Sequence, residues 1–170
     1  MQKIAVFLPV YNEAETLARV LGQIPRRIRG RGVELFVVDD HSTDRSREIA
    51  KAFTPHVLTV SGPQGVGAAT KTGLTYIARA GRYGLVVKLD ADGQHDPGLL
   101  HRMVDSLSRG DDIVICSRFH PRSDQAQTPV DRLLLNLIFT EALRKITGWK
   151  LTDVRSGYAG FQAGLIRQIA

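Results

Sequence analysis

The sequence of 170 residues contains one cysteine and no long hydrophobic run. A single cysteine cannot form an internal disulfide bond, so the sequence does not indicate an oxidising compartment. No stretch approaches the roughly 20 apolar residues that a membrane-spanning helix needs. The first apolar run, of about five residues, is too short for the hydrophobic part of a signal peptide. We therefore expect a cytoplasmic protein, either free or bound peripherally at the cytoplasmic face of a membrane.

Aromatic residues are scarce, whereas basic residues are abundant. Phe, Tyr and Trp make up 6% of the sequence, which does not provide the stacking array of a single-strand-binding protein, so no nucleic-acid partner is expected. Lys and Arg number 23 against 17 for Asp and Glu, and the net charge of +6 favours an anionic partner such as a nucleotide or a phospholipid surface. The basic group Arg26, Arg27, Arg29 and Arg31 suits an anionic membrane surface, although such a group is usually only a solvated face.

Apolar runs alternate with amphipathic stretches along the chain. The runs lack strict alternation of polar and apolar residues, which is typical of strands buried on both faces. They predict strands at 4–8, 35–38, 57–60, 85–89 and 113–116, and the stretches between them predict helices at 13–24, 44–53, 67–80 and 97–107. This alternation indicates an α/β fold with a mostly parallel sheet flanked by helices. The length fits a single domain, 1–170.

Acidic residues follow two of the predicted strands directly: Asp39 and Asp40 the second, Asp90 and Asp92 the fourth. Because ligands of open parallel sheets bind at the carboxyl ends of the strands, we expect these carboxylates at one site. The carboxylates of Asp90 and Asp92, with the amide oxygen of Gln94, suit Mg²⁺ or Mn²⁺ shared with substrate phosphates. A calcium loop is excluded by the preceding strand, and solvated surface aspartates are the alternative.

Polar residues at the other strand ends suit a nucleotide. Tyr11 could stack on a base, and Glu13 could accept hydrogen bonds from it or favour the start of a helix. Asp39 and Asp40 could hold a ribose hydroxyl or a base edge, or cap the next helix, the role favoured for Asp44. Arg118 could bind diphosphate oxygens or pair with a neighbouring aspartate. The glycines of 62–67 lack the ending of a phosphate loop and favour close helix packing.

Four segments, 9–13, 37–44, 90–95 and 117–119, resemble family-2 glycosyltransferases in order and spacing. The Asp-Gly-Gln-His run at 92–95 resembles the branch of polyprenyl-phosphate sugar synthases that includes dolichol-phosphate mannose synthases. A sugar-nucleotide pyrophosphorylase would instead need a glycine-rich basic loop after the first strand.

The resemblance implies a nucleotide-diphospho-sugar transferase domain of the GT-A, Rossmann-like type. It implies a nucleotide-diphospho-sugar donor, an acceptor that is a lipid phosphate or a sugar, and inversion at the anomeric carbon. It assigns Pro9, Tyr11, Glu13, Val38 and Asp40 to the nucleoside, Asp90, Asp92 and Gln94 to the metal and diphosphate, Ala91 to the sugar side and Arg118 to phosphate. We expect the metal bound by Asp92 to stabilise the leaving diphosphate. For a sugar hydroxyl acceptor, Asp153 is the candidate general base.

The sequence departs from this branch in its last quarter. Ala159 stands where an arginine is expected after Ser156-Gly157-Tyr158, and Arg155 or Arg167 is the candidate replacement. The chain stops at Ala170 inside a predicted helix, whereas family members continue, which leaves a fragment or an inactive sugar-nucleotide-binding module as the alternative. A further helix predicted at Val130–Thr147 is apolar on more than one face. It suits either burial, in the fold or a dimer, or a lipid interface near the acceptor.

Overall fold

A computed structural model describes residues 2–117, 119, 130–149 and 151–169 of the chain. The strands are β1 (Lys3–Val10), β2 (Arg27–Ile28), β3 (Arg31–Asp39), β4 (Val57–Thr59), β5 (Tyr83–Lys88), β6 (Ile113–Ile115) and β7 (Ala159–Gln162). The helices are α1 (Ala14–Gln23), α2 (Ser46–Phe53), α3 (Val66–Ala80), α4 (Leu100–Ser108), α5 (Val130–Thr147) and α6 (Ala163–Ile169), and a 3-10 turn (Pro97–Leu99) precedes α4.

The strands form one sheet in the order β2-β3-β1-β5-β7-β6, with β4 also paired to β3. β1 is parallel to β3 and β5, and β3 is parallel to β4. β2 and β7 run antiparallel to their neighbours β3 and β5. The prediction of a mostly parallel α/β sheet is therefore confirmed, with two antiparallel strands that the sequence did not predict.

β1 is the centre of the hydrophobic core. Ile4, Ala5, Val6, Phe7 and Leu8 are all fully buried; β3 and β5 pair with the two edges of the strand, and α3 packs against it. This burial explains the apolar run without alternation.

All the parallel strands end at the same edge of the sheet. β1 ends at Val10, β3 at Asp39 and β5 at Lys88, and the registers pair Val10 with Asp39 and Phe7 with Lys88. The loops that follow the three strands therefore leave the sheet side by side, as the carboxyl ends of parallel strands do.

The chain divides into two compact units. One comprises Met1–Val114 and Tyr158–Ala170, and the other comprises Ile115–Gly157. The first unit contains the parallel strands and the loops at their carboxyl ends. The second contains α5, whose bounds agree with the predicted helix.

Candidate active site

A cleft of about 340 Å³ opens at the carboxyl edge of the sheet, within the first unit. Seven of the residues that line it were predicted as site residues: Pro9, Tyr11, Glu13, Asp40, Asp90, Ala91 and Asp92. Four more residues of the lining were not: Val10, Gly65, Val66 and Ala69. The cleft thus brings together residues at the carboxyl ends of β1, β3 and β5.

The loop after β1 is held by the loop after β3. The backbone N–H of Asn12 donates to Ser42 Oγ at 3.1 Å, and Asn12 Oδ1 accepts from the N–H of Thr43 at 2.8 Å. Asn12 adopts a left-handed conformation, with φ of 54°, which asparagine tolerates better than most residues. These bonds fix the wall of the cleft that carries Tyr11 and Glu13.

The start of α1 is also capped from the second loop. The N–H groups of Glu13 and Ala14 donate to Ser46 Oγ at 2.8 Å and Asp44 Oδ2 at 3.0 Å. Asp44 Oδ1 accepts from the N–H of Ser46 at 2.9 Å. The hydrogen bond with Ser46 is the main reason that the pKa of Asp44 lies below its usual value. Asp44 therefore caps α1 as well as the helix that follows it.

Asp40 presents an acceptor to the cleft. Its side chain is 7% exposed, and Oδ2 accepts a hydrogen bond of 2.7 Å from the N–H of Gly65. The other oxygen, Oδ1, is buried and has no hydrogen-bond partner among the described residues, and His41 Nδ1 lies 3.6 Å from it. Because a buried carboxylate oxygen without a donor is costly, this atom indicates a site for a ligand N–H or O–H group.

Two residues predicted beside Asp40 lie elsewhere. Val38 is fully buried in the core, in the cluster that contains Phe7 and Ala69. Asp39 is 1% exposed and its Oδ1 accepts from the N–H of Ser42 at 3.2 Å, while Oδ2 lies 3.6 Å from Arg47 Nη1. Neither side chain lines the cleft, and Asp39 organises the loop that carries Asp40.

The loop after β5 carries the Asp-Ala-Asp motif and is supported by α1. Thr16 Oγ1 donates to the carbonyl of Ala91 at 2.8 Å. Asp92 Oδ1 accepts from the N–H of Gln94 at 2.9 Å. Gln94, predicted as a metal ligand, has an exposed side chain and is not part of the cleft lining. The structure thus brings Asp90 and Asp92 together without the amide.

Asp90 lies between two basic side chains. Its Oδ1 is 3.3 Å from Lys88 Nζ, and its Oδ2 is 3.6 Å from His95 Nε2. Burial raises the pKa of Asp90, but the interactions with His95 and Lys88 outweigh burial, so that the net pKa is lowered. Asp90 is therefore held ionised.

Glu13 experiences the opposite environment. Burial is the largest cause of the raised pKa of Glu13, and a hydrogen bond from Thr16 acts in the opposite direction. The charges of Asp92, Asp44 and Asp90 raise the pKa further. The acids are close enough to repel one another.

Among the described residues no group of three or more His, Cys, Asp or Glu side chains could hold a metal ion by itself. Two carboxylates completed by substrate phosphates are the arrangement in which Mg²⁺ is usually bound, and the donors present fit that arrangement.

Of the glycines at 62–67, Gly65 lines the cleft. A Cβ added at Gly62, Gly65 or Gly67 would meet no atom of the described residues within 4 Å, so the interpretation as a close helix contact was wrong. Gly65 has φ of 136° and directs its N–H to Asp40. The glycine run was the available signal for this part of the site.

The sequence also drew attention to residues in the last third of the chain. Arg118 lies outside the described residues. Asp153 belongs to the second unit, where it is 1% exposed and its Oδ1 accepts from Asn136 Nδ2 at 2.9 Å. Ala159 is 9% exposed on β7, opposite Lys88 of β5. Arg155 and Arg167, suggested as its replacements, are exposed.

Comparison with known proteins decides the family. Residues 5–170 match the Glycosyl transferase family 2 model. The chain belongs to glycosyl transferase family 2. Within this family, polyprenol monophosphomannose synthase of Mycolicibacterium smegmatis is 30% identical over 174 residues, covering 99% of this chain and 64% of that protein. Undecaprenyl-phosphate mannosyltransferase of Micrococcus luteus is 31% identical over 172 residues, covering 98% and 69%.

Solved structures of a glycosyltransferase share the fold. Glucosyl-3-phosphoglycerate synthase from Mycobacterium tuberculosis in complex with phosphoglyceric acid is 26% identical with a TM-score of 0.72, covering 96% of this chain and 58% of that one. The same enzyme with Mn²⁺, uridine-diphosphate-glucose and phosphoglyceric acid is 25% identical with a TM-score of 0.71, covering 96% and 57%. The predicted GT-A fold and the family-2 resemblance are confirmed. The chain spans 57% to 69% of the length of these relatives.

Proposed function

We propose that this chain binds a nucleotide-diphospho-sugar in the cleft and transfers the sugar, with inversion, to a polyprenyl phosphate. The observation that carries the proposal is the convergence of Asp40, Asp90 and Asp92 on one cleft, where one buried oxygen of Asp40 has no donor among the described residues. The names of the mannosyltransferase relatives support the choice of a lipid phosphate as acceptor.

The nucleoside is assigned to the part of the cleft between β1 and β3. Asp40 Oδ1 would accept a hydrogen bond from a ring N–H of the base, which uracil and guanine possess and cytosine and adenine lack. Tyr11 is 51% exposed at the rim, where its ring would stack on the base and supply apolar contact with little loss of side-chain entropy. This part of the cleft therefore favours UDP- or GDP-sugars.

The diphosphate and the divalent ion are assigned to the loop after β5. Asp92 and Asp90 would hold Mg²⁺ or Mn²⁺ together with the phosphate oxygens. When bound, the ion supplies Lewis-acid stabilisation of the departing diphosphate. Thr16 and the N–H of Gln94 hold the loop in place for that role. Ala91, whose side chain is small and 2% exposed, leaves room for the sugar.

The acceptor decides whether a general base is needed. A phosphate acceptor is already anionic near neutral pH, because its second pKa is about 6, and the transition state resembles an oxocarbenium ion. Attack then needs no proton acceptor. Transfer to a hydroxyl group would need a general base. For the second candidate function, transfer to a small hydroxylated anion, we propose Asp153 as that base. The likeness to a glucosyl-3-phosphoglycerate synthase favours this second candidate.

The second unit offers a surface for the lipid. On α5, Asn136 and Thr140 are buried, and Asn136 bonds Asp153. Seven large apolar side chains on or next to the helix are exposed: Leu135, Leu137, Ile138, Phe139, Leu143, Ile146 and Trp149. Arg144 and Lys145 follow in the last turn, a combination of apolar face and basic residues that suits an anionic bilayer surface. No helix in the described part of the chain is long and apolar enough to span a bilayer.

The membrane proposal is tested by flotation of the chain with vesicles of neutral or anionic lipid. We expect flotation with anionic vesicles, and its loss on Phe139→Glu. Phe53→Glu on α2 is the matched control, because Phe53 is 45% exposed and Phe139 is 54% exposed. Equal flotation of the two variants, or dimerisation through α5 seen by sedimentation, would contradict the assignment.

The catalytic proposal is tested by sugar transfer with UDP- and GDP-sugars, Mn²⁺ and polyprenyl phosphate. We expect Asp92→Ala to lower turnover roughly a hundredfold, about the effect of losing one preorganised electrostatic contact, or roughly 3 kcal/mol. The control is Asp105→Ala, which should retain turnover. Asp105 lies 2.7 Å from Arg29 and is not part of the cleft lining. Binding of nucleotide without any turnover by the wild type would favour the inactive binding module.

A further inference from the structure

Lys88 is a partly buried cation beside the acid loop. Its side chain is 13% exposed and its Nζ lies 3.3 Å from Asp90 Oδ1. The strand neighbours that pair with Lys88 are Phe7 and Ala159, which are both buried and apolar. A lysine is rarely buried unless it is paired, so its position at the end of β5 needs an explanation.

The cleft is otherwise strongly acidic. Glu13, Asp40, Asp90 and Asp92 line it, and the charges of Asp92 and Asp90 act on Glu13. Among the ion pairs of the described residues, only the pair with Lys88 joins a lysine or arginine to an acid of this lining. Within the described part of the chain, Lys88 thus supplies a permanent positive charge that is paired with the acid loop, and the guanidinium of Arg19 lies beside Gly93 of the same loop.

We propose that Lys88 is a positioning residue that carries the counter-charge of the acid loop while no divalent ion is bound. Its ammonium holds Asp90 in place and lowers the negative potential of the loop, which weakens binding of the free ion. The ion then binds tightly only together with the diphosphate, whose negative charge exceeds that of Lys88. This inference rests on the proposed function, because it presupposes a divalent ion at Asp90 and Asp92.

A purely structural role makes a different prediction. If Lys88 only anchored the end of β5, its replacement would lower stability equally with and without the ion. If Lys88 carries the counter-charge, the neutral variant is less stable than the wild type without the ion. Adding the ion then raises the stability of the variant more than that of the wild type. Coulombic interactions over a few Å in a partly buried site change affinity by roughly tenfold or more.

The experiment measures Mn²⁺ binding by calorimetry and the unfolding temperature, each with and without UDP or GDP. We expect Lys88→Met to lower the unfolding temperature of the metal-free chain and to bind Mn²⁺ alone roughly tenfold more tightly than the wild type. Lys88→Arg, which keeps the charge, should behave as the wild type. Lys3→Met is the matched control, since it removes a lysine that pairs with Glu34 at the amino end of β1, and it should leave the response to Mn²⁺ unchanged.

The outcomes separate the two proposals. If the wild-type chain does not bind Mn²⁺ even in the presence of nucleotide, both the proposed metal site and this inference are overturned. A wild type that binds Mn²⁺, with Lys88→Met binding it no more tightly, overturns the inference alone. If Lys88→Met does not fold, Lys88→Gln replaces it, and failure of both neutral variants to fold establishes a structural role and also overturns the inference.

Discussion

At the scale of single residues, the carboxylates of the site were predictable and their partners were not. Asp40, Asp90 and Asp92 stand directly after apolar runs, and that position alone indicates the carboxyl edge of a sheet. The N–H of Gly65, which holds Asp40, comes from a loop 25 residues further along. Val38 was assigned by resemblance and Asp39 by its position after a strand, but Val38 is buried in the core and Asp39 accepts a hydrogen bond from Ser42 within its own loop. Pairing between distant loops is decided by packing, which a sequence pattern does not specify.

Asp40 gives the sharpest prediction at this scale. Asp40→Asn keeps the size of the side chain but places an amide where the open carboxylate oxygen now lies, or where the N–H of Gly65 donates. We expect the affinity for UDP or GDP to fall roughly tenfold to a hundredfold, because a charged hydrogen bond contributes about 1.5 to 3 kcal/mol. Isothermal calorimetry measures the change, with Asp105→Asn as the control. Unchanged nucleotide affinity would remove Asp40 from the site.

At the scale of elements, the strands that form the centre of the sheet were predictable, whereas its later additions were not. β1, β3 and β5 are apolar runs because both of their faces are covered. β7 has the sequence Ala-Gly-Phe-Gln, which lacks β-branched residues and carries no strand signal. Its place is fixed by pairing with β5 and not by its own propensity. The two-residue β2 is likewise formed by a hairpin turn at Arg29 and Gly30, both with positive φ.

The contact between α3 and β1 allows a test of element packing. A Cβ added at Gly73 of α3 would lie 2.6 Å from Cδ2 of the buried Phe7, so either the helix or the ring must shift. We expect Gly73→Ala to destabilise the chain by about 1 to 3 kcal/mol through overpacking, despite the higher helix propensity of alanine. Urea unfolding measures this difference.

Gly67 of the same helix is the matched control. A Cβ there would lie more than 4 Å from every atom in the described part of the chain, so Gly67→Ala should be neutral or stabilising by up to about 1 kcal/mol. If both alanine variants are equally stable, the close approach of α3 to β1 is not as described.

At the scale of the whole sheet, one group of charged side chains lies at the carboxyl ends of the strands and another lies near their amino ends. The carboxyl edge carries the acids of the cleft. Near the amino end of the sheet, Glu34 on β3 lies 3.1 Å from Lys3 Nζ and 3.0 Å from His56 Nε2, and it also pairs with Arg82. Burial, with the hydrogen bond to Glu34, raises the pKa of Tyr83 to about 12. The amino edge is thus an ion network apart from the cleft lining, and it is expected to govern stability and not ligand binding.

This network sets the sign of a pH dependence. Burial raises the pKa of Glu34, but hydrogen bonds with Lys3 and Tyr83 and the charge of Arg82 outweigh it, so the pKa in the folded chain lies below 4.5. A carboxyl group whose pKa is lower in the folded chain stabilises the fold at every pH above its unfolded pKa. This contribution is lost as the pH falls through the folded pKa.

We expect Glu34→Gln to lower the free energy of unfolding by about 1 kcal/mol at pH 7, with the difference from wild type shrinking below about pH 4.5. Glu48→Gln, on an exposed pair with Arg45 at 3.5 Å, should show no such dependence in urea unfolding from pH 7 to pH 3. A difference for Glu34→Gln that is constant over this range, or that grows on acidification, would contradict the lowered pKa and leave the network without its stabilising role.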